Sequence, residues 1–216
     1  MVFSTPIFLF LFLPAVLVLN YIIPKKYIAA KNVVLLIASL FFYAWGEPRN
    51  VLLMLLSIVV NYVCGLLLGK FDSDEKKRKV VLWASVVFNL GLLFFFKYFS
   101  FVTGGLFPVI KLPIGISFFT FQIMSYTIDV YRRSVEPQKN LVKLALYISL
   151  FPQLIAGPIV RYIDVEKQLT YRECTAEKTA RGMIRFSMGL AKKVIISNTI
   201  AAICDGIFGS TNTVPA

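Results

Sequence analysis

Long apolar runs alternate with short polar, mostly basic connections along the chain. A helix crossing a bilayer needs about 20 mostly apolar residues, with a range of about 17–25. That yardstick predicts spans near residues 7–23, 28–45, 51–68, 80–96 and 114–130. The first run contains Pro14 but no Lys or Arg before Lys25, so it reads as a retained helix rather than a signal peptide. The second requires Lys31 to reach an interface along its alkyl stem. The fourth ends in Phe94-Phe95-Phe96-Lys97-Tyr98-Phe99, an aromatic and basic anchor. A sixth apolar stretch, 141–160, holds Pro152, Gly157 and Pro158, which interrupt a regular helix. Broken backbone at membrane depth survives where protein or a water-filled cavity covers it. This stretch is therefore expected to be broken or re-entrant, with a cavity beside it. Residues 165–193 are more polar, and Lys178, Arg181, Arg185 and Lys192 share one helical face. They read as a cytoplasmic interfacial helix on lipid head groups, followed by an apolar segment at 194–208. The expected fold is all-α, one polytopic membrane domain over 1–216.

Composition agrees. The chain is 58% apolar and 16% charged, against about 45–50% and 25% for soluble domains. A soluble globular protein is excluded. The net charge of +12 would suggest nucleic acid in a soluble chain. Here the basic residues lie between apolar runs, so they set orientation, and the expected partner is membrane lipid, not nucleic acid. Alternate connections carry twelve and three basic residues, which places the amino terminus outside and the basic loops in the cytoplasm. If 141–160 turns back, twenty basic residues share the cytoplasmic side. The run Phe71-Asp72-Ser73-Asp74-Glu75-Lys76-Lys77-Arg78-Lys79 reads as a solvated loop, and Gly65 and Gly69 just before it as a close-packing pair.

Candidate chemistry is sparse. The chain contains no His, which removes the commonest general base, every Ser-His or Cys-His pair and every His metal ligand. Cys64, Cys174 and Cys204 are far apart with no C-x-x-C, so no disulfide framework and no metal site is expected. Amides at membrane depth face a partner or a cavity. Asn61 and Asn89 read as partners between helices. Gln122 lies mid-helix and Gln153 directly after Pro152. Asp129 lies close to Arg132 and Arg133, and a local ion pair is its simplest reading. None of these is a nucleophile–base arrangement.

Three segments together resemble one family: Phe42-Tyr43-Ala44-Trp45-Gly46-Glu47-Pro48, then Leu112 to Gln122 continuing through Ser125-Tyr126-Thr127-Ile128-Asp129-Val130-Tyr131-Arg132, then Phe151-Pro152-Gln153-Leu154-Ile155-Ala156-Gly157-Pro158-Ile159-Val160-Arg161-Tyr162. In this order they resemble the membrane-bound O-acyltransferase family, in its bacterial alginate O-acetyltransferase-like branch. Met1-Val2-Phe3-Ser4 and Gly189-Leu190-Ala191-Lys192-Lys193-Val194 are similar to it as well. The resemblance implies a ring of helices around a funnel in the bacterial inner membrane. An acetyl donor, acetyl-CoA or another acyl carrier, would serve it from the cytoplasm, with no cofactor held permanently. The acceptor would be an exported polysaccharide such as alginate or a cell-wall glycan, with a periplasmic or extracellular acetyltransferase completing transfer.

The family's catalytic His, embedded in the membrane, belongs to its carboxy-terminal half, whereas this chain resembles the amino-terminal half. No position here inherits that role, and the His is expected downstream of Ala216. The chain on its own is expected to be inactive, as a piece of a longer enzyme or as a His-free natural form. By resemblance, Gln153, Gly157, Pro158 and Arg161 would build the broken segment at the funnel. Gln122, Tyr126, Asp129 and Arg132 would support it from the fifth span. Two other readings stay open on the residues alone. A transporter or flippase would also have a broken helix and buried amides, and a non-catalytic scaffold of a glycan-export complex needs no His.

Overall fold

The computed structural model describes residues 3–24, 26–103, 112–154, 158–173 and 175–211. Elements in chain order are a π-helical turn Phe8–Phe12 leading into α1 (Leu13–Ile22), α2 (Ile28–Gly46), α3 (Asn50–Lys70), α4 (Glu75–Lys97), α5 (Phe99–Val102), α6 (Ile116–Tyr131), α7 (Leu141–Ser149), α8 (Phe151–Leu154), α9 (Tyr162–Thr170), α10 (Ala176–Ala191), a π-helical turn Lys192–Ser197, and α11 (Asn198–Thr211). No strand occurs among the described residues. Four helices are long and apolar enough to cross a membrane: α2, α3, α4 and the continuous Ala176–Phe208. This is an all-α membrane protein.

Two compact units divide it. The first is Pro14–Arg172, in which α6 packs against both α3 and α4, and α7 against α2 and α3. Its exterior is apolar: Leu52, Leu56, Val59 and Val63 of α3 and Val80, Trp83, Val87 and Phe94 of α4 are all exposed. Its interior between α3, α4 and α6 is polar, with Ser57, Asn61, Ser85, Asn89 and Thr127 all buried. Lipid tails are as apolar as Leu, so apolar faces gain nothing by meeting each other there, while hydrogen bonds and small residues hold helices together. Asn61 Oδ1 accepts from Ser85 Oγ (2.7 Å), Asn89 Nδ2 (2.8 Å) and Thr127 Oγ1 (3.2 Å). Asn61 Nδ2 donates to Asn89 Oδ1 (3.2 Å) and to Ser57 O (2.8 Å). The paired-amide expectation for Asn61 and Asn89 is met. Gly65 and Gly69 also act as close-approach positions: a Cβ on Gly65 would sit 2.6 Å from Tyr126 Oη, and one on Gly69 2.7 Å from Pro137 Cγ.

The run 71–79 is not a solvated loop throughout. Asp74 caps α4, its carboxylate accepting from Lys77 N–H at 3.1 Å, and this fixes the helical phase so that Arg78 turns inward to 1% exposure. Arg78 Nη1 donates to Leu68 O (3.1 Å) and Asp72 Oδ1 (2.6 Å), and Nη2 to Tyr131 O (2.6 Å). One guanidinium thus serves the last carbonyls of α3 and α6, where the helix dipoles favour a cation.

The second unit holds the stretch before Pro14 and the chain from Glu173 onward. The expected surface helix and apolar segment are joined there without a break, since α10, the π-helical turn and α11 follow one another directly. Thr175 caps α10, accepting from Lys178 N–H at 3.2 Å. Arg181 pairs with Glu177 one turn away at 2.5 Å.

Candidate functional site

The three family-like segments converge on one place in the first unit. Gly115 lies just before α6 with φ 75°, a conformation open chiefly to Gly. A Cβ there would stand 2.5 Å from Leu154 O, so Gly also lets the backbone of the third segment approach. The first segment grips the neighbouring residue from both sides. Tyr43 Oη donates to Ile114 O (3.0 Å), and Glu47 Oε2 accepts from Ile114 N–H (2.8 Å). Glu47 is 6% exposed and also accepts from Asn50 Nδ2 at 2.7 Å. The rings of Phe42 and Phe151 meet at 5.7 Å.

α7 and α9 flank the stretch expected to be broken. Asn140 caps α7 by accepting from Val142 and Lys143 N–H. The helix stops at Leu150, where Pro152 two residues on cannot continue the ladder. Phe151 N–H donates to Ser39 Oγ of α2 at 3.3 Å. Residues 155–157 lie outside the described residues, and with them Gly157. Pro158 is an exposed bend. α9 then ends back where α2 and α7 begin: Asn32 Nδ2 donates to Leu169 O (2.8 Å) and Lys143 Nζ to Thr170 Oγ1 (3.0 Å).

The contacts among α6, α7, α8 and α9 are polar. Gln122 of α6, 3% exposed, donates through Nε2 to Tyr147 O (2.9 Å) and Gln153 Oε1 (3.1 Å). Gln153 is half-buried. Tyr147 Oη donates to Val160 O at 2.8 Å and lies 3.4 Å from Ser125 Oγ. Tyr162 packs edge-on against Tyr126 and Tyr147, with centroids at 5.0 and 5.2 Å, and accepts from Gln138 Nε2 at 2.6 Å. Tyr126 Oη accepts from Gln138 N–H at 3.0 Å.

Asp129 corrects the local reading. Its partner is not Arg132 or Arg133 but Arg161, 32 residues on, Nη2 to Oδ1 at 2.5 Å. The turn after α6 explains this. Arg132 N–H closes the helix onto Ile128 O, and Arg133 takes a positive φ of 59° that carries its side chain to Asp72 and Glu75. Arg132 is exposed, and no described side chain pairs with it. Asp129 is buried and its Oδ2 has no partner among the described residues, whereas Arg161 is half exposed. The hydrogen bond to Asp129 raises the pKa of the Arg161 guanidinium further.

Of the predicted residues, Gln122 and Gln153 are joined directly, Asp129 and Arg161 likewise, and Tyr126 reaches the same cluster through Tyr162. Sequence reasoning missed Tyr147, Tyr162, Gln138, Glu47 and Arg78. Tyr147 and Ser149 carry the hydroxyls of an otherwise largely apolar stretch, a signal of the same kind as Gln122. Chemically the cluster offers amide and phenol hydrogen bonds, one buried carboxylate with a free oxygen, and an exposed guanidinium. Among the described residues no group of His, Cys, Asp and Glu could hold a metal ion.

No family model matches the chain, and no solved structure does. Curated relatives do. The "Probable alginate O-acetylase AlgI" of Pseudomonas aeruginosa is 40% identical over 98% of this chain and 43% of its own length. The protein of the same name from Azotobacter vinelandii is 40% identical over 96% of this chain and 44% of its own. The "Peptidoglycan O-acetyltransferase" of Helicobacter pylori is 34% identical over 95% and 46% respectively. The chain spans a little under half the length of these relatives. Two residues in five are identical along nearly the whole chain, so it is similar to a little under half of each of these O-acetylases, in line with the resemblance to the membrane-bound O-acyltransferase family.

Proposed function

We propose that the chain serves in a membrane O-acetyltransferase that passes acetyl groups to an exported polysaccharide, alginate or a cell-wall glycan. The identity to O-acetyltransferases along 96–98% of the chain carries this reading. The acetyl donor, acetyl-CoA or another acyl carrier, approaches from the cytoplasm, and a periplasmic or extracellular acetyltransferase receives the group. The setting is the bacterial inner membrane, with the amino terminus outside and the segment 141–160 re-entrant.

Within this scheme the α6–α7–α9 cluster is a wall of the acyl route. Polar side chains at membrane depth mark substrate pathways. The Gln122–Gln153 amides and the free Oδ2 of Asp129 provide such groups. Gly157 and Pro158 supply the break, while Arg161, Arg132 and Tyr126 hold the donor-side end. These 216 residues contain no His, so their part is binding and positioning.

Deleting the gene and measuring ester-linked acetate on the exported glycan tests the activity. Loss of acetate is expected, and unchanged acetate contradicts the proposal. Orientation has its own test. A Cys substituted at Lys178 is expected to react with an impermeant reagent only from the cytoplasmic side, and labelling from outside overturns the topology.

A further inference from the structure

A cavity of about 610 Å³ opens where α3 ends, α4 begins and α6 ends. That volume lies in the ordinary range for small-molecule sites. The segment after α6 that walls it is pinned at four points. Pro137 rests on Gly69, Tyr62 Oη donates to Lys139 O (2.7 Å), Gln138 N–H donates to Tyr126 Oη (3.0 Å), and Arg133 Nε donates to Asp72 Oδ1 (3.0 Å). The cavity is therefore a feature of the packed fold.

Its charge is unbalanced. Lys70, Arg78, Arg133 and Lys139 line it against Asp72 and Glu136. Asp72 is already shared between Arg78 and Arg133. Lys70 and Lys139 have no ion-pair partner among the described residues, and the buried Nε of Arg78 has no hydrogen-bond partner. Lys70 at the end of α3 and Lys139 in the connection before α7 leave positive charge that Glu136 offsets only in part, which favours an anion from the interface. The cavity is also amphiphilic. Leu66, one turn before Lys70, lines the same wall and is 37% exposed, and Val135 and Pro137 continue the apolar surface. A free phosphate would leave that surface unused.

We propose that this cavity binds the phosphate headgroup of an anionic glycerophospholipid. Lys70 and Lys139 contact the phosphate, and an acyl chain runs out past Leu66.

The test is native mass spectrometry of the delipidated full chain titrated with phosphatidylglycerol, phosphatidylcholine or inorganic phosphate. One phosphatidylglycerol is expected to bind, at least ten-fold tighter than phosphatidylcholine, and millimolar inorganic phosphate is expected not to displace it. The double variant Lys70→Gln with Lys139→Gln should weaken phosphatidylglycerol about thirty-fold, roughly five-fold for each lysine near a charged surface. Both residues are exposed, so its thermal unfolding should match the parent chain. Lys76→Gln with Lys79→Gln, which removes two exposed cations outside the cavity, should leave affinity within two-fold. Equal binding of phosphatidylcholine overturns the proposal, as does an equal loss in the control pair, which would mean diffuse attraction. Inorganic phosphate binding that depends on Lys70 and Lys139, without lipid binding, assigns the cavity to a soluble phosphate and overturns the lipid.

Discussion

Two polar seams meet on α6, and they are finished differently. Toward α3 and α4, Thr127 joins Asn61, Ser85 and Asn89, and every polar atom of both amides is hydrogen-bonded inside the protein, the neutral Ser57 Oγ being the one buried atom there without a partner among the described residues. Toward α7 and α9, Gln122 reaches a half-buried Gln153, and Asp129 reaches a half-exposed Arg161 with one oxygen left over. A closed seam can only hold helices together. An open one has capacity left for something that is not part of the chain, which is why the second is the candidate functional wall.

The largest expected effect comes from the junction on which the open seam hangs. Gly115→Ala forces a Cβ into left-handed backbone, costing about 1–2 kcal/mol, and drives it toward Leu154 O at 2.5 Å. A total loss of about 3 kcal/mol is expected, read as a lower thermal midpoint in detergent. Breaking the closed seam comes next. Asn61→Leu leaves Ser85, Asn89 and Thr127 without their shared acceptor. Hydrogen bonds between membrane helices average about 0.6 kcal/mol and reach about 1.7, so a loss of about 2 kcal/mol is expected in the same measurement.

The ion pair gives an asymmetric test. Arg161→Ala strands a buried carboxylate, whereas Asp129→Asn strands only a half-exposed guanidinium. The arginine variant should unfold at the lower temperature, and the reverse order would contradict the buried placement of the Asp129 carboxyl beside Arg161. The smallest effect concerns neither seam and serves as the baseline. The backbone N–H of Lys77 holds the Asp74 carboxyl below the usual range. Its contribution is therefore present above the unfolded pKa of about 3.9 and fades as pH falls below it. Asp74→Asn keeps a cap acceptor and should flatten that acid limb in a melting-point titration.

Much of the architecture was legible because lipid imposes a simple pattern. Apolar length marked α2, α3 and α4, and Pro152 marked the break after α7. The amides Asn61 and Asn89 marked the closed seam, since an amide at that depth has to find a partner. The open seam was legible only in part. Gln122 and Gln153 stood out as amides, but the Asp129–Arg161 pair spans 32 positions. Local spacing favoured Arg132 and Arg133, and nothing in the sequence announces the positive φ at Arg133 that removes it. Arg78 hid inside a charged run for a related reason: its burial depends on carbonyls of α3 and α6 that only tertiary packing brings to it.

The measurement that bears most directly on the difference between the seams is glycan acetylation per folded molecule in cells carrying Gln153→Ala or Asn61→Ala. Gln153→Ala is expected to leave the amount of folded protein unchanged and to cut acetylation at least ten-fold. Asn61→Ala is expected to lower the amount of folded protein while each folded molecule keeps its activity. Full acetylation by Gln153→Ala, or a loss per molecule confined to Asn61→Ala, would contradict the assignment of the open seam as the functional wall.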